Sequence, residues 1–248
     1  MKEKILGYQV DACGVDECCD AIFAALRTPG KRWFACFNPH SYAESLTDEM
    51  FTSALKSVDW LVPDGVGVVV ASRMLGGHIS DRVTGSDIFY GLLGRMNEAG
   101  GMKVFFLGAS EETLTDIRAR IALDYPNIEL AGTFSPPFKP EYSGAELDKM
   151  ISSVNTTKPD VLWVGMTAPK QEKWIYENLA LLDVKFAGAI GAVFDFYTGR
   201  VKRSHPLFQR LGLEWLPRLL QQPRRLWRRI FVSAPIFMMH VVKQRFSK

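Results

Sequence analysis

The chain has 248 residues, 47% of them hydrophobic and 23% charged, which is ordinary for a globular protein with a sizeable core. Disorder of the whole chain is excluded, as are the collagen-like, coiled-coil and disulfide-scaffold classes. The formal net charge is only +3, but residues 200–248 hold 12 of the 30 Lys and Arg and one of the 27 acids, Glu214.

Met1-Lys2-Glu3-Lys4 leads into a short, polar-interrupted strand rather than the long apolar stretch of a signal peptide, so export is not expected. The four cysteines, Cys13, Cys18, Cys19 and Cys36, form no Cys-x-x-Cys and no zinc-type doublets, and read as reduced thiols of a cytosolic protein. Periodicity then predicts a helix over 15–26, a strand over 33–37 and a helix over 41–56. A strand over 60–62 precedes helices over 67–75 and 87–98. A strand over 103–107 is followed by a helix over 111–123 and a strand over 128–132. After a Pro/Ser-rich loop, 134–143, come a helix over 145–154, a strand over 161–165, a helix over 170–179 and a strand over 184–187. Such alternation predicts an α/β fold with a largely parallel sheet flanked by helices, whose ligands bind beyond the carboxyl ends of the strands.

The residues that follow the predicted strands are therefore the candidates for a site. Asn38-Pro39-His40 sits at a helix start, where Asn38 either caps the helix or meets a polar ligand group. Asp64, between Pro63 and Gly65, fits a cap, a ribose ligand or a general base. The neighbouring Gly65-x-Gly67 lacks the third glycine of a dinucleotide fingerprint, which disfavours an oxidoreductase. Arg82 has the planar fork that suits a phosphate, or else pairs with Asp87. Gly108 ends an apolar strand in a tight turn. Gly165, Lys170 and Gln171 lie in the densest strand–turn–helix, a place that anions favour. Asp195 lies between aromatics in a glycine-studded stretch that either holds a nucleobase or forms a structural turn. His40, His78, His205 and His240 have no ligand spacing, and no metal site is predicted. Asp-x-Asp, P-loop, Gly-x-Ser-x-Gly and His-Glu-x-x-His motifs do not occur.

In the basic tail, Arg210, Arg218, Arg224, Arg225, Arg228 and Arg229 are interleaved with Trp215, Leu216, Leu219, Leu220, Trp227 and Phe231. This pattern fits a helix lying on an anionic membrane, with packing on its own domain or a subunit as the alternative. The run 230–242 is too short and too interrupted to span a bilayer. Nucleic acid is not expected, since no helix-turn-helix, zinc-finger or RNP pattern accompanies the charge. The predicted division is an α/β catalytic domain over 1–203 and a basic amphipathic appendage over 204–248.

Taken together, the segments resemble the WecG/TagA/CpsF glycosyltransferases, family 26. The pieces are Phe37-Asn38-Pro39, Pro63-Asp64-Gly65-Val66-Gly67, Arg82-Val83-Thr84-Gly85-Ser86-Asp87, Phe106-Leu107-Gly108-Ala109, Lys158-Pro159-Asp160, Pro169-Lys170-Gln171-Glu172-Lys173-Trp174, Phe194-Asp195-Phe196 and Leu211-Gly212-Leu213-Glu214-Trp215-Leu216. They run in order along nearly the whole chain. The resemblance implies a Rossmann-like fold and inverting, metal-independent chemistry with no cofactor. It implies transfer of an N-acetylmannosamine-type sugar from a UDP-sugar to a polyprenyl-diphosphate-linked acceptor, peripherally at the cytoplasmic face of the inner membrane. Asp64 matches the family's proposed base, and Asn38, Arg82 and Gln171 match other active-site positions. Asp195 matches a uracil contact, while Arg218, Arg225 and Arg228 fall where the appendage offers arginines to the diphosphate. Cys36 stands where the family often has Thr. A hexosyl transferase of exopolysaccharide assembly and a non-catalytic UDP-binding membrane module are the alternatives, and a homo-oligomer is left open.

Overall fold

The computed structural model describes residues 1–201 and 227–247. The chain opens with an antiparallel hairpin, β1 (Lys2–Ile5) and β2 (Tyr8–Asp11). Its two turn residues, Leu6 and Gly7, both have positive φ, as the tightest hairpin turns require. The main sheet has six strands, all parallel: β3 (Arg32–Phe37), β4 (Trp60–Pro63), β5 (Lys103–Gly108), β6 (Glu129–Phe134), β7 (Val161–Gly165) and β8 (Phe186–Ala189). Their spatial order is β4-β3-β8-β7-β5-β6.

Both faces of this sheet are covered, which is why its strands read as continuous apolar runs. Val104, Phe106, Val161 and Trp163 point to one face, against α1 (Val15–Ala25), α5 (Gly85–Ala99) and α6 (Glu111–Asp124). Phe105, Leu107, Leu162 and Val164 point to the other. There the hairpin, α2 (Pro39–Ser45), α3 (Glu49–Ser57), α4 (Val66–Leu75), α7 (Gly144–Asn155) and α8 (Lys170–Asn178) pack. The result is the three-layer, Rossmann-like arrangement expected for such an alternation.

Three details differ from the sequence reading. The single helix expected over 41–56 is two, because Asp48 stops the run and accepts a hydrogen bond from Phe51 N at 2.9 Å to cap α3. The second hairpin strand was not expected at all. The stretch around Asp195 is a short helix, α9 (Val193–Tyr197).

Of the basic segment, only 227–247 is described. A π-helical turn (Arg229–Ser233) leads into α10 (Ala234–Phe246), which packs back on the body. Phe237 and Val241 are fully buried in the same cluster as Tyr8, Phe37 and Tyr42. Phe237 meets the rings of Phe37 and Tyr42 edge-on, and His240 Nδ1 lies 2.6 Å from the Tyr42 hydroxyl. Gln244 Oε1 accepts from Leu6 N at 2.8 Å, tying α10 to the hairpin turn. Among the described residues no helix is long and apolar enough to cross a membrane.

Candidate functional site

Parallel strands deliver all their carboxyl ends to one edge of the sheet, so the segments after β3, β4, β5, β7 and β8 share that edge. Their order sets what can meet. β3 and β4 are neighbours, as are β7 and β8, whereas the ends of β4 and β5 lie four strand spacings apart, roughly 19 Å.

At the β3–β4 end, Asn38 serves both alternatives that the sequence leaves open. Its Oδ1 caps α2 by accepting from His40 N and Ser41 N at 3.0 and 2.9 Å. That fixes the amide so that Nδ2 points to Asp64 Oδ2, 3.5 Å away. Asp64 leaves β4 with its N–H on Phe37 O at 2.8 Å, and Gly65 takes the next position at φ +107°. Gly67 has no room for a side chain, since a Cβ there would lie 2.7 Å from Pro39, so α2 and α4 start in contact. Val83 N donates to Pro63 O at 2.9 Å and brings the backbone beside Arg82 to the end of β4. Asp87 is occupied in a capping box, accepting from Thr84 N and Oγ1 at 2.9 and 2.7 Å.

Cys36 lies behind this pair, with its sulfur facing the start of α5. Burial, then the charges of Asp64 and Glu172, push its thiol well above the ordinary range, so it stays neutral.

The β7–β8 end is built from Gln171 and Glu172, 4% and 3% exposed. Gln171 Oε1 accepts from Met166 N at 3.1 Å and from Gly191 N at 2.9 Å, joining the segments after β7 and β8. Its Nε2 donates to Glu172 Oε1 at 2.9 Å. Burial pushes the Glu172 carboxyl up to about 7. The sequence reading gave Glu172 no role, although a signal was there. Gln171, Trp174, Ile175 and Asn178 recur at helical spacing and form the buried face of α8, so polar groups at its start face inward.

The remaining expected residues divide. Gly108 and Gly165 serve close packing: a Cβ on Gly108 would lie 2.4 Å from Gly165 O, and one on Gly165 would lie 2.3 Å from the Phe194 ring. Lys170 turns toward the 134–143 loop, with Nζ 3.7 Å from the Tyr142 ring centroid and a hydrogen bond to Lys139 O. Burial, then Lys139, lowers its pKa. Asp195 sits on α9, immediately after the Phe194 that covers Gly165. The motif residue Asp160 is at the opposite end of the sheet, where it accepts from Lys103 N at 2.8 Å and pairs with Lys185 at 2.7 Å. Arg228 pairs with Glu44 of α2 at 3.7 Å. Arg218 and Arg225 lie outside the described residues.

His40, next in α2, connects this edge to the C-terminal helix through Ser233 Oγ at 3.1 Å. Burial, then Arg229, pushes its imidazole down to about 4, so it is neutral near pH 7. Trp227 and Phe231 in the same segment remain 53% and 62% exposed. No group of three or more metal-ligating side chains converges among the described residues.

The sequence profile of the Glycosyl transferase WecG/TagA/CpsF family matches residues 3–248. A protein from Bacillus spizizenii named N-acetylglucosaminyldiphosphoundecaprenol N-acetyl-beta-D-mannosaminyltransferase is 34% identical over 206 residues, covering 83% of this chain and 77% of its own. A protein of the same name from Bacillus subtilis is 32% identical over 85% of this chain and 79% of its own. One from Staphylococcus aureus is 27% identical over 98% of this chain and 93% of its own. With a profile match along almost the full length, and Asn38, Asp64 and Gln171 carried to one edge of an all-parallel sheet, this chain belongs to the WecG/TagA/CpsF family of glycosyltransferases.

Proposed function

We propose that this enzyme transfers N-acetylmannosamine from a UDP-sugar to an N-acetylglucosaminyl diphosphate carried on a polyprenyl lipid, with inversion, in the synthesis of a surface polysaccharide or teichoic acid-type polymer. The observation that carries the reading is the Asn38–Asp64 pair at the parallel-sheet edge, in a chain whose curated relatives bear that transferase name. The relatives' activity favours this donor over a glucosyl one.

In this reading Asp64 is the base. Its carboxylate takes the proton of the acceptor hydroxyl as that oxygen bonds to the anomeric carbon from the face opposite the leaving group. The bond from the anomeric carbon to the diphosphate breaks, and its electron pair leaves with UDP. The Nδ2–H of Asn38 orients Asp64, a role its capping bond makes rigid. Charge builds on the departing diphosphate, and preorganised cations stabilise such charge strongly. Arg82, Arg218, Arg225 and Arg228 are assigned to it, and Asp195 to the uracil. Gln171 holds the opposite wall. Basic residues beside Trp227 and Phe231 support peripheral docking on an anionic membrane from the cytoplasmic side, where the lipid-linked acceptor would be met.

The test is mass spectrometry of the products from a synthetic polyprenyl-diphosphate N-acetylglucosamine incubated with a panel of UDP-sugars. The expected product gains one N-acetylhexosamine, from UDP-N-acetylmannosamine, with the new linkage inverted. A hexose gained from UDP-glucose overturns the donor assignment, and UDP binding without any transfer overturns the enzyme reading.

A further inference from the structure

We propose that Glu172 is a positioning residue whose carboxylate sets the polarity of the Gln171 side chain and thereby holds the segments after β7 and β8 in fixed relation. A glutamine side chain has a donating and an accepting end of nearly the same shape, and a rotation of its terminal torsion exchanges them at little intrinsic cost. Gln171 works as a brace in one of those orientations only. Its oxygen has to face Met166 N and Gly191 N, which are both donors. In the rotated state its NH2 group would oppose two N–H groups, and the brace would become a repulsion.

Something must therefore select the orientation, and Glu172 is placed to do so. It accepts from Gln171 Nε2 at 2.9 Å in a site from which water is excluded. An ionised carboxyl has only acceptors, so it can never satisfy the rotated amide. A glutamine at 172 would offer either polarity. Glu172 also carries a cost consistent with a specific role. Its second oxygen, Oε2, is buried with no hydrogen-bond partner among the described residues, and burial disfavours the charged form. If the carboxyl takes a proton on Oε2, Oε1 still accepts from Gln171, so the brace survives either state.

What the brace holds is specific. Gly191 has φ +58° and begins the turn that leads into α9, which carries Asp195. Met166 begins the turn into α8. β7 and β8 are hydrogen-bonded neighbours, so one side chain can span their exits. Glu172 thus acts on the wall that carries Asp195 without reaching the reacting atoms. The part of the inference that concerns nucleotide binding rests on the UDP-sugar reading above; the brace itself does not.

Two readouts keep the two apart. Amide hydrogen exchange at Met166 and Gly191 reports the brace directly. Affinity for UDP, measured by calorimetry, reports its consequence. Glu172→Met is expected to lower protection at both amides by about tenfold, as loss of a buried hydrogen bond implies. It should also weaken UDP binding and raise KM for the UDP-sugar, with a smaller fall in kcat. Glu172→Gln, which can accept from Gln171 but can also face it with its own NH2 group, should restore only part of the protection. If Glu172→Met folds and both amides stay as protected as in the wild type, the proposal is overturned. It is also overturned if kcat collapses while UDP affinity is unchanged, since Glu172 would then act in the chemistry. Should Glu172→Met fail to fold, the unmodified protein decides: the Gln171 side-chain amide protons must exchange slowly, and fast exchange refutes the brace. Wild-type protein that does not bind UDP but has slow exchange leaves the brace standing and sinks the functional reading.

Discussion

The two walls at this edge of the sheet are built by opposite rules. At the β3–β4 end, Asn38 and Asp64 are only partly buried, and their side chains meet at 3.5 Å. At the β7–β8 end, the oxygen and nitrogen of Gln171 are committed to backbone and to Glu172, and both side chains are sealed from water. One wall leaves its polar pair partly exposed; the other commits its polar groups to joining the segments after β7 and β8. Asp64 and Gln171 are both motif residues, and their surroundings differ in burial and in hydrogen bonding.

The contrast breaks most clearly at Asp64. Asp64→Asn should lower the rate of UDP release with acceptor present by about a thousandfold, worth about 4 kcal/mol in the barrier, while UDP binding and the urea midpoint barely move. Near-normal turnover would remove Asp64 from the base role. Next comes the support behind the same wall. Phe237→Ala should cost about 3–4 kcal/mol of stability in urea unfolding, because the ring lies fully buried between Phe37 and Tyr42. Gln171→Leu should cost about 2–3 kcal/mol by leaving two N–H groups and a carboxylate without partners, with its loss in stability larger than that of any substitution at Asp64. Asn38→Ser separates cap from catalyst. Serine is as good an N-cap, so stability should hold within about 0.5 kcal/mol, yet the amide facing Asp64 is gone and kcat/KM should fall about tenfold or more.

The smallest effect sharpens the comparison through pH. His40 has a folded pKa of about 4, below its usual value, so its contribution to stability is present above about pH 6.5 and is lost as pH falls through 4. Glu172 has a raised pKa of about 7, so its contribution is present below about pH 4.5 and is lost as pH rises through 7. The two slopes oppose each other between these limits. In chemical denaturation followed against pH, His40→Asn should remove the loss on the acid side, and Glu172→Gln the loss toward neutrality.

Much of this was legible in the residues. The strands announced themselves as apolar runs, since a parallel sheet buries both faces, and the topology then put Asn38, Asp64 and Gln171 at one edge. Other features were not legible, for physical reasons. The 41–56 run has helical periodicity throughout, and only the capping geometry of Asp48 divides it. β2 is four residues long, too short for an alternation to stand out. That Lys170 Nζ rests against the Tyr142 ring depends on where the 134–143 loop lies, which the helix start alone does not encode. That Phe237 and Val241 bury themselves against Tyr42 depends on partners nearly two hundred residues earlier, which local pattern does not encode.

That separation has a further consequence. The hydrogen bonds between Gln244 and the hairpin join positions 238 and 240 residues apart, and the apolar cluster around Tyr42 is incomplete without α10. During synthesis the amino-terminal part emerges first and is free to fold its sheet, yet α2, which carries Asn38 at its start, must wait with one side uncovered. Contacts this distant along the chain are among the slowest to form. The enzyme is therefore assembled late: the nascent chain on the ribosome holds a nearly finished scaffold whose helix beside Asp64 is braced only after residue 246 has cleared the exit.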